Sequence, residues 1–316
     1  MPPAPKSAGK SARYPERTRQ PRTRLYPAMP CDTAFRVVAR GCLWNLIANQ
    51  RTACRGDAEA VHQMRIALTR LRTAISFFSP MVADPQRTQI RSELKWLHSH
   101  LGAVRDLDVS IERLREVNKR AKATPTFQAL KRRRAESHRS LARALRSIRY
   151  RRLVGNITDW IENGPWSTKT GKQATHRRSR PTASYSARKL AQWREKLVKK
   201  SRKLQVMSAK KRHRLRLMSK KLCYSIEFFP NLFSDKQSSL QQAALTYLRQ
   251  VQKSLGQLND DAKGQTLAMA LQRDGIRSSM PLLGRGRERR LMRTANKAYR
   301  KLAALKPFEI QDRRFR

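Results

Sequence analysis

The chain has 316 residues, with 71 Lys plus Arg against 22 Asp plus Glu and a net charge of +49. That length fits one large domain or two halves of about 150 residues. Self-repulsion on this scale strains a compact fold unless a polyanion neutralises it, so the partners to consider are nucleic acid, an anionic membrane surface and polyphosphate. The apolar runs are only a few residues long, which excludes a membrane-spanning helix. Residues 1–30 lack the apolar centre of a secretory signal, so a soluble cytoplasmic protein is expected. Cys31, Cys42, Cys54 and Cys223 form no CxxC pair and read as reduced core thiols.

Residues 1–30 hold seven prolines, seven basic residues and one acid, Glu16. Such a segment cannot build a core and reads as a disordered basic arm. Residues 32–54 read as a helix carrying Ala34, Val37, Val38, Leu43, Leu46 and Ile47. Gly56 and Asp57 then break the chain, with Asp57 a candidate N-cap for the next helix. That helix, residues 61–78, has two unlike faces. Met64, Leu68, Leu71, Ile75 and Phe78 fall on one side; His62, Arg65, Thr69 and Arg72 fall on the other, with Arg70 at the edge. Ser79 and Pro80 end it.

Residues 86–101 form a third helix through Ile90, Leu94, Leu97 and Leu101. Gly102 marks a kink or break before a fourth, with Val104, Leu107, Ile111 and Leu114 apolar. Residues 127–160 read as helical and very basic, from Lys131 to Arg152. Gly164-Pro165 ends this first half. Residues 167–186 are polar, with Gly171 and Pro181, and read as a loop or linker. A further amphipathic helix covers 187–204, and helices continue to Leu305, where Pro307 stops them. No strand pattern occurs. The expected fold is all-α, with halves at 31–164 and 187–306, a linker at 165–186 and a tail at 307–316.

The pattern of 61–78 returns 151 residues later, over 213–229. His213 answers His62, Leu215 answers Met64, Arg216 answers Arg65, and Lys220 and Lys221 answer Thr69 and Arg70. Leu222, Ile226, Phe228 and Phe229 answer Leu71, Ile75, Phe77 and Phe78. In the next helix Gly256, Leu258 and Asp260 match Gly102, Val104 and Asp106. The repeat therefore spans more than one helix and keeps the basic face as well as the core face, which suggests two basic faces serving one site. Phe77, Phe78, Phe228 and Phe229 sit at matching helix ends and are expected in the core.

Four stretches, VHQMRIALTRLRTAISFF, LGAVRDLDV, RHRLRLMSKKLCYSIEFF and LGQLND, in that order, resemble the CHAD family, the conserved histidine α-helical domain. With the helices between them the resemblance covers about residues 31–306. It implies two pseudo-symmetric helical bundles around a basic central channel that binds inorganic polyphosphate, in some members at polyphosphate granules. Many members are fused to a triphosphate-processing CYTH domain; this chain has no acidic, strand-rich segment and is expected to stand alone. The positions that carry over as polyphosphate ligands are His62, Arg65, Arg70, Arg72 and Arg105 in the first half. In the second they are His213, Arg216, Lys220 and Lys221. The family has cations where this chain has Thr69 and Cys223, and those two are not counted as ligands.

The chemistry of such a site is simple. Polyphosphate carries about one negative charge per internal phosphate and no bases to read. Arg offers two parallel hydrogen bonds to one phosphate, and Lys acts as a mobile point charge. A nearby phosphate favours protonated His62 and His213, so binding should tighten as pH falls through the histidine range. Asp106, Asp108, Asp260 and Asp261 could be read as metal ligands, but isolated acids in a basic chain more often cap a helix or orient an Arg. His98 and His100 are two residues apart, which does not put two ligands on one helix face. No glycine-rich phosphate loop, GxSxG or zinc spacing occurs. The expectation is a non-enzymatic polyphosphate binder without cofactor or metal. The alternative is a general polyanion or nucleic-acid binder acting through its basic arm and surface. Nothing in the residues sets an oligomeric state.

Overall fold

The computed structural model describes residues 25–117, 121–230, 232, 235–278 and 280–306. The core of the proposed basic arm (1–24) and the tail (307–316) lie outside the described residues. Among the described residues twelve α-helices run in the order α1 (Cys31–Ala48), α2 (Gln50–Ala53), α3 (Ala58–Phe77), α4 (Gln86–Val117), α5 (Pro125–Arg146), α6 (Ile148–Asn163), α7 (Pro165–Thr168), α8 (Lys172–Ser179), α9 (Thr182–Ser201), α10 (Ala209–Glu227), α11 (Asp235–Arg273) and α12 (Arg285–Ala304). Among the described residues there is no strand, only an isolated bridge between Pro30 and Pro181. None of these helices is long and apolar enough to cross a membrane.

The helix at 61–78 forms where its pattern predicts. Asp57 caps α3 by accepting from the Ala60 amide at 2.6 Å. Met64, Leu68, Leu71, Ile75 and Phe77 are buried, while His62, Arg65 and Arg70 are half-buried and Arg72 is exposed. The α3 helix lies between α1 and α4, and α10 lies between α9 and α11. The two sets meet where α3 packs on α10 and α4 on α11.

An aromatic seam ties this junction. Phe77 and Phe78, at the end of α3, contact Phe229, just past α10, at centroid distances of 5.4 and 6.3 Å. Tyr185 and Trp193 of α9 meet Phe77 edge-on at 5.6 and 5.5 Å, and Tyr185 donates its hydroxyl to the Phe77 carbonyl. Phe77, Phe78, Phe228 and Phe229 are all buried, as expected, in one continuous core that draws on both sets of helices. A smaller apolar cluster joins the far ends of α4 and α11 to α5 through Ile111, Leu114, Phe127, Leu130, Leu271 and Met280.

Four sequence readings need correction. Residues 32–54 are two helices, because the chain turns at Asn49; the Asn45 and Asn49 amides bond back to the carbonyls four residues earlier. Gly102 does not break the chain, and α4 runs through it without interruption. The basic stretch 127–160 is two helices separated at Ser147, whose hydroxyl accepts from the Tyr150 amide and so starts α6. Residues 167–186 are largely helical. Trp166 is fully buried against Phe35 and Trp160, and Arg178 donates to the carbonyls of Trp166 and Lys169. The described end of the proposed arm is also fixed: Met29 is 2% exposed, and its carbonyl accepts from the amide and hydroxyl of Thr182.

Candidate functional site

Two arginines lie on bare helix backbone in the same manner. Arg65 reaches from α3 to Gly102 of α4, where an added methyl would lie 3.6 Å from Nη1. Arg216 reaches from α10 to Gly256 of α11, where a methyl would lie 3.6 Å from both Nε and Nη2. A glycine inside a helix costs about 1 kcal/mol relative to alanine. At both positions the guanidinium lies at ordinary van der Waals distance from where a methyl would stand.

Lys220 stands one helical turn beyond Arg216. Burial, then the charges of Arg65 and Arg216, push its ammonium down to about 8. Its Nζ lies 5.5 Å from the centre of the Tyr224 ring. Burial also lowers Arg216, against the partial relief of Asp260, and its Nε is buried with no hydrogen-bond partner. His62 is pushed down by burial and by Arg105, with Glu59 opposing and Lys220 and Arg65 adding to the fall. Its Nδ1 is likewise buried and without a partner. At the matching place in the other helix pair, His213 Nδ1 sits 2.5 Å from Asn259 Oδ1.

The structure therefore brings Arg65, Arg216 and Lys220 within electrostatic reach of one another, with His62 reaching Arg65 and Lys220, and Arg105 acting on His62. Arg72 and Lys221 lie further along α3 and α10 and reach solvent. The surrounding protein still desolvates them, and Arg91 of α4 repels both, so both are pushed down.

Arg70 is placed differently. It donates to Glu227 at 2.7 Å and lies over the rings of Tyr224 and Phe228, at 5.3 and 5.2 Å. Its charge is already answered. We expect Arg70→Ala to cost about 1–2 kcal/mol of stability in urea unfolding, from the ion pair and the cation–π contacts. Anion affinity should stay within about twofold of wild type, because a charge already paired adds little to binding.

Sequence reasoning missed two residues of this region. His98, one turn before Gly102 on α4, is pushed down to about 4 by burial and by Arg65, Arg72 and Lys220, with Asp106 opposing. The signal available was its i, i+4 register with Gly102; its neighbour His100 instead meets Trp96 edge-on at 5.3 Å. Arg91 was the other, and nothing in its local pattern marks it.

The acids hold the frame. Asp106 accepts from Lys263 at 2.7 Å across the α4–α11 contact, and Asp108 accepts from Arg134 of α5 at 2.7 Å. Asp261 accepts from the Leu283 amide at 2.7 Å and lies 3.5 Å from Arg113. Among the described residues no three His, Cys, Asp or Glu side chains are grouped to hold a metal ion. The basic stretch 131–152 does not line the site as a block. Arg133 pairs with Asp274, and Arg149 pairs with Glu93 at 2.8 Å over the Trp96 ring, while Lys131, Arg132, Arg151 and Arg152 are exposed. The cysteines are free thiols, and burial raises Cys31 to about 12 and Cys42 and Cys223 to about 11.

The sequence profile of the CHAD domain matches residues 37–268. Among solved structures the chain is similar to the CHAD domain from the plant Ricinus communis. The identity is 23% over 91% of this chain and 96% of the other, with a TM-score of 0.73. It is also similar to PptA from Streptomyces chartreusis, at 14% identity over 87% and 96% of the two chains and a TM-score of 0.55. At these identities the likeness is one of fold. No curated protein matches the sequence closely enough to be compared. With the profile covering most of the all-helical chain, this protein belongs to the CHAD domain family.

Proposed function

We propose that this protein binds inorganic polyphosphate and does not process it. The ligand lies in a basic channel between α3 and α4 on one side and α10 and α11 on the other, which we read as two copies of one helix pair. The observation that carries this reading is the crowding of Arg65, Arg216 and Lys220, with His62 Nδ1 and Arg216 Nε buried and unpartnered. Cations crowded in this way destabilise a protein until an anion joins them. A linear ligand suits their layout. Arg105 and His62 stand at one end, Arg65, Arg216 and Lys220 in the middle, and Arg72, Arg91 and Lys221 at the open end. Along α3 the path from residue 62 to residue 72 is about 15 Å at 1.5 Å per residue.

Base-reading proteins offer free aromatic faces. Tyr224, beside the cations, is covered by Arg70 and Lys220. Phosphoryl transfer normally needs carboxylates to hold Mg²⁺, and Asp106 and Asp108 are committed to Lys263 and Arg134. Binding of this kind would recruit the protein to polyphosphate granules in the cytoplasm. The net charge of +49 favours a second reading, a general polyanion or nucleic-acid binder acting through its basic arm and surface.

Titrating the full-length protein with long-chain polyphosphate and with duplex DNA of equal charge, over a salt series, separates the two. We expect polyphosphate to stay bound at salt concentrations that release DNA. Parallel loss of both ligands would mark a general polyanion binder. Bound phosphate also draws protons onto His62, His98 and Lys220, whose ligand-free values are lowered. Affinity for polyphosphate should therefore rise from pH 8 to pH 6, and equal affinity at both would count against the histidines.

A further inference from the structure

The two histidines at matching positions have different second partners. Asn259 on α11 stands where α4 has Arg105. The Asn259 amide donates from Nδ2 to Asp260 Oδ1 at 3.3 Å. A carboxylate oxygen only accepts, so this contact sets which way the amide faces and turns Oδ1 toward His213. His213 Nδ1, 2.5 Å from that oxygen, must then be the donor. In the other helix pair the same chain of contacts is broken. Asp106 is held by Lys263 at 2.7 Å, Arg105 has no acceptor to offer, and His62 Nδ1 is left buried without a partner.

We propose that Asn259, oriented by Asp260, is a positioning residue that fixes His213 with its hydrogen on Nδ1 and reserves Nε2 for the anion. This rests on the polyphosphate reading for the identity of that anion, but not for the tautomer. Neutral His213 then presents a lone pair at Nε2, which repels a phosphate oxygen. Only the imidazolium, with hydrogens on both nitrogens, can donate from Nε2 while keeping its bond to Asn259. His62 has no acceptor at Nδ1 and is free to donate from Nε2 while neutral. The two histidines therefore serve the same ligand in different protonation states, His213 as a cation and His62 as either form.

The test is nitrogen-15 NMR of histidine-labelled, full-length, ligand-free protein above the histidine titration range, with the His213 signals assigned by His213→Gln. In wild type we expect Nδ1 to show the protonated shift and Nε2 the unprotonated one. In Asn259→Leu, which removes the acceptor, the hydrogen should redistribute toward Nε2. Asn259→Asp keeps an acceptor and should keep the hydrogen on Nδ1. Polyphosphate affinity of Asn259→Leu should depend less on pH than that of wild type, because neutral His213 can then donate from Nε2 as His62 does. A neutral wild-type His213 protonated at Nε2 would overturn the proposal, as would a tautomer that ignores Asn259→Leu. If the tautomers behave as expected but wild-type protein fails to bind polyphosphate, the functional reading falls and the assignment of Asn259 stands on the spectra.

Discussion

Replacing Lys220 with methionine raises the stability of the ligand-free protein and weakens its hold on polyphosphate. The lysine is half-buried beside Arg65 and Arg216, and its ammonium is pushed down to about 8 from an ordinary value of 10.5. A cation whose folded value lies below its unfolded value destabilises the fold while it is protonated. The penalty is present in full below pH 8 and is relieved as pH rises from about 8 toward the unfolded value, because the unfolded chain there binds more protons. Methionine keeps most of the volume and removes the charge. After discounting for solvent screening and for the contact with Tyr224, the gain at pH 7 is on the order of 1–2 kcal/mol. Urea unfolding of both proteins at pH 7 and pH 9.5 checks this. The difference should be largest at pH 7 and shrink at pH 9.5. A variant less stable than wild type at pH 7 would mean that Lys220 supports the fold. The same substitution should weaken polyphosphate binding about tenfold, the direction opposite to its effect on stability.

Arg65→Ala and Arg216→Ala each lower polyphosphate affinity by about 10- to 100-fold, the range of a charge-assisted hydrogen bond with a second one in parallel. The two guanidiniums lie against Gly102 and Gly256 in the same manner, so their losses should be similar in size. Each loss should also flatten the dependence of log K on log salt, because one fewer phosphate is neutralised. Isothermal titration over a salt series reads both quantities. Removing Arg216 also takes away a cation that Asp260 partly answers. Affinity unchanged in both variants would move the site away from α3 and α10 altogether.

The core face of α3 is readable from the chain because the 3.6-residue period selects the side chains that end up buried, Met64 through Phe77. The basic face is readable for the same reason, and its return at 213–229 directs attention to Arg65 and Arg216 as a pair. What the chain does not display is contact between helices. Gly102 reads as a break because glycine is a poor helix former, yet the helix continues and Arg65 of α3 comes to lie over it. Arg70 shares the basic face by periodicity, but its partner Glu227 lies 157 residues away on α10. His98 looks inert beside His100 until α3 and α10 close over it with Arg65, Arg72 and Lys220. Ser147 starts a helix in a run so basic that one serine carries no weight in the pattern.

The aromatic seam joins Phe77 and Phe78 to Phe229 at one end of α3, and the Asp106–Lys263 ion pair joins α4 to α11 near the other. With contacts at both ends of α3, an anion is expected to enter without the two sets first parting. For polyphosphate bound as proposed, the arrival rate should follow long-range attraction to these cations and fall as salt thickens the counterion cloud. The departure rate depends on the buried donors and is nearly indifferent to bulk salt.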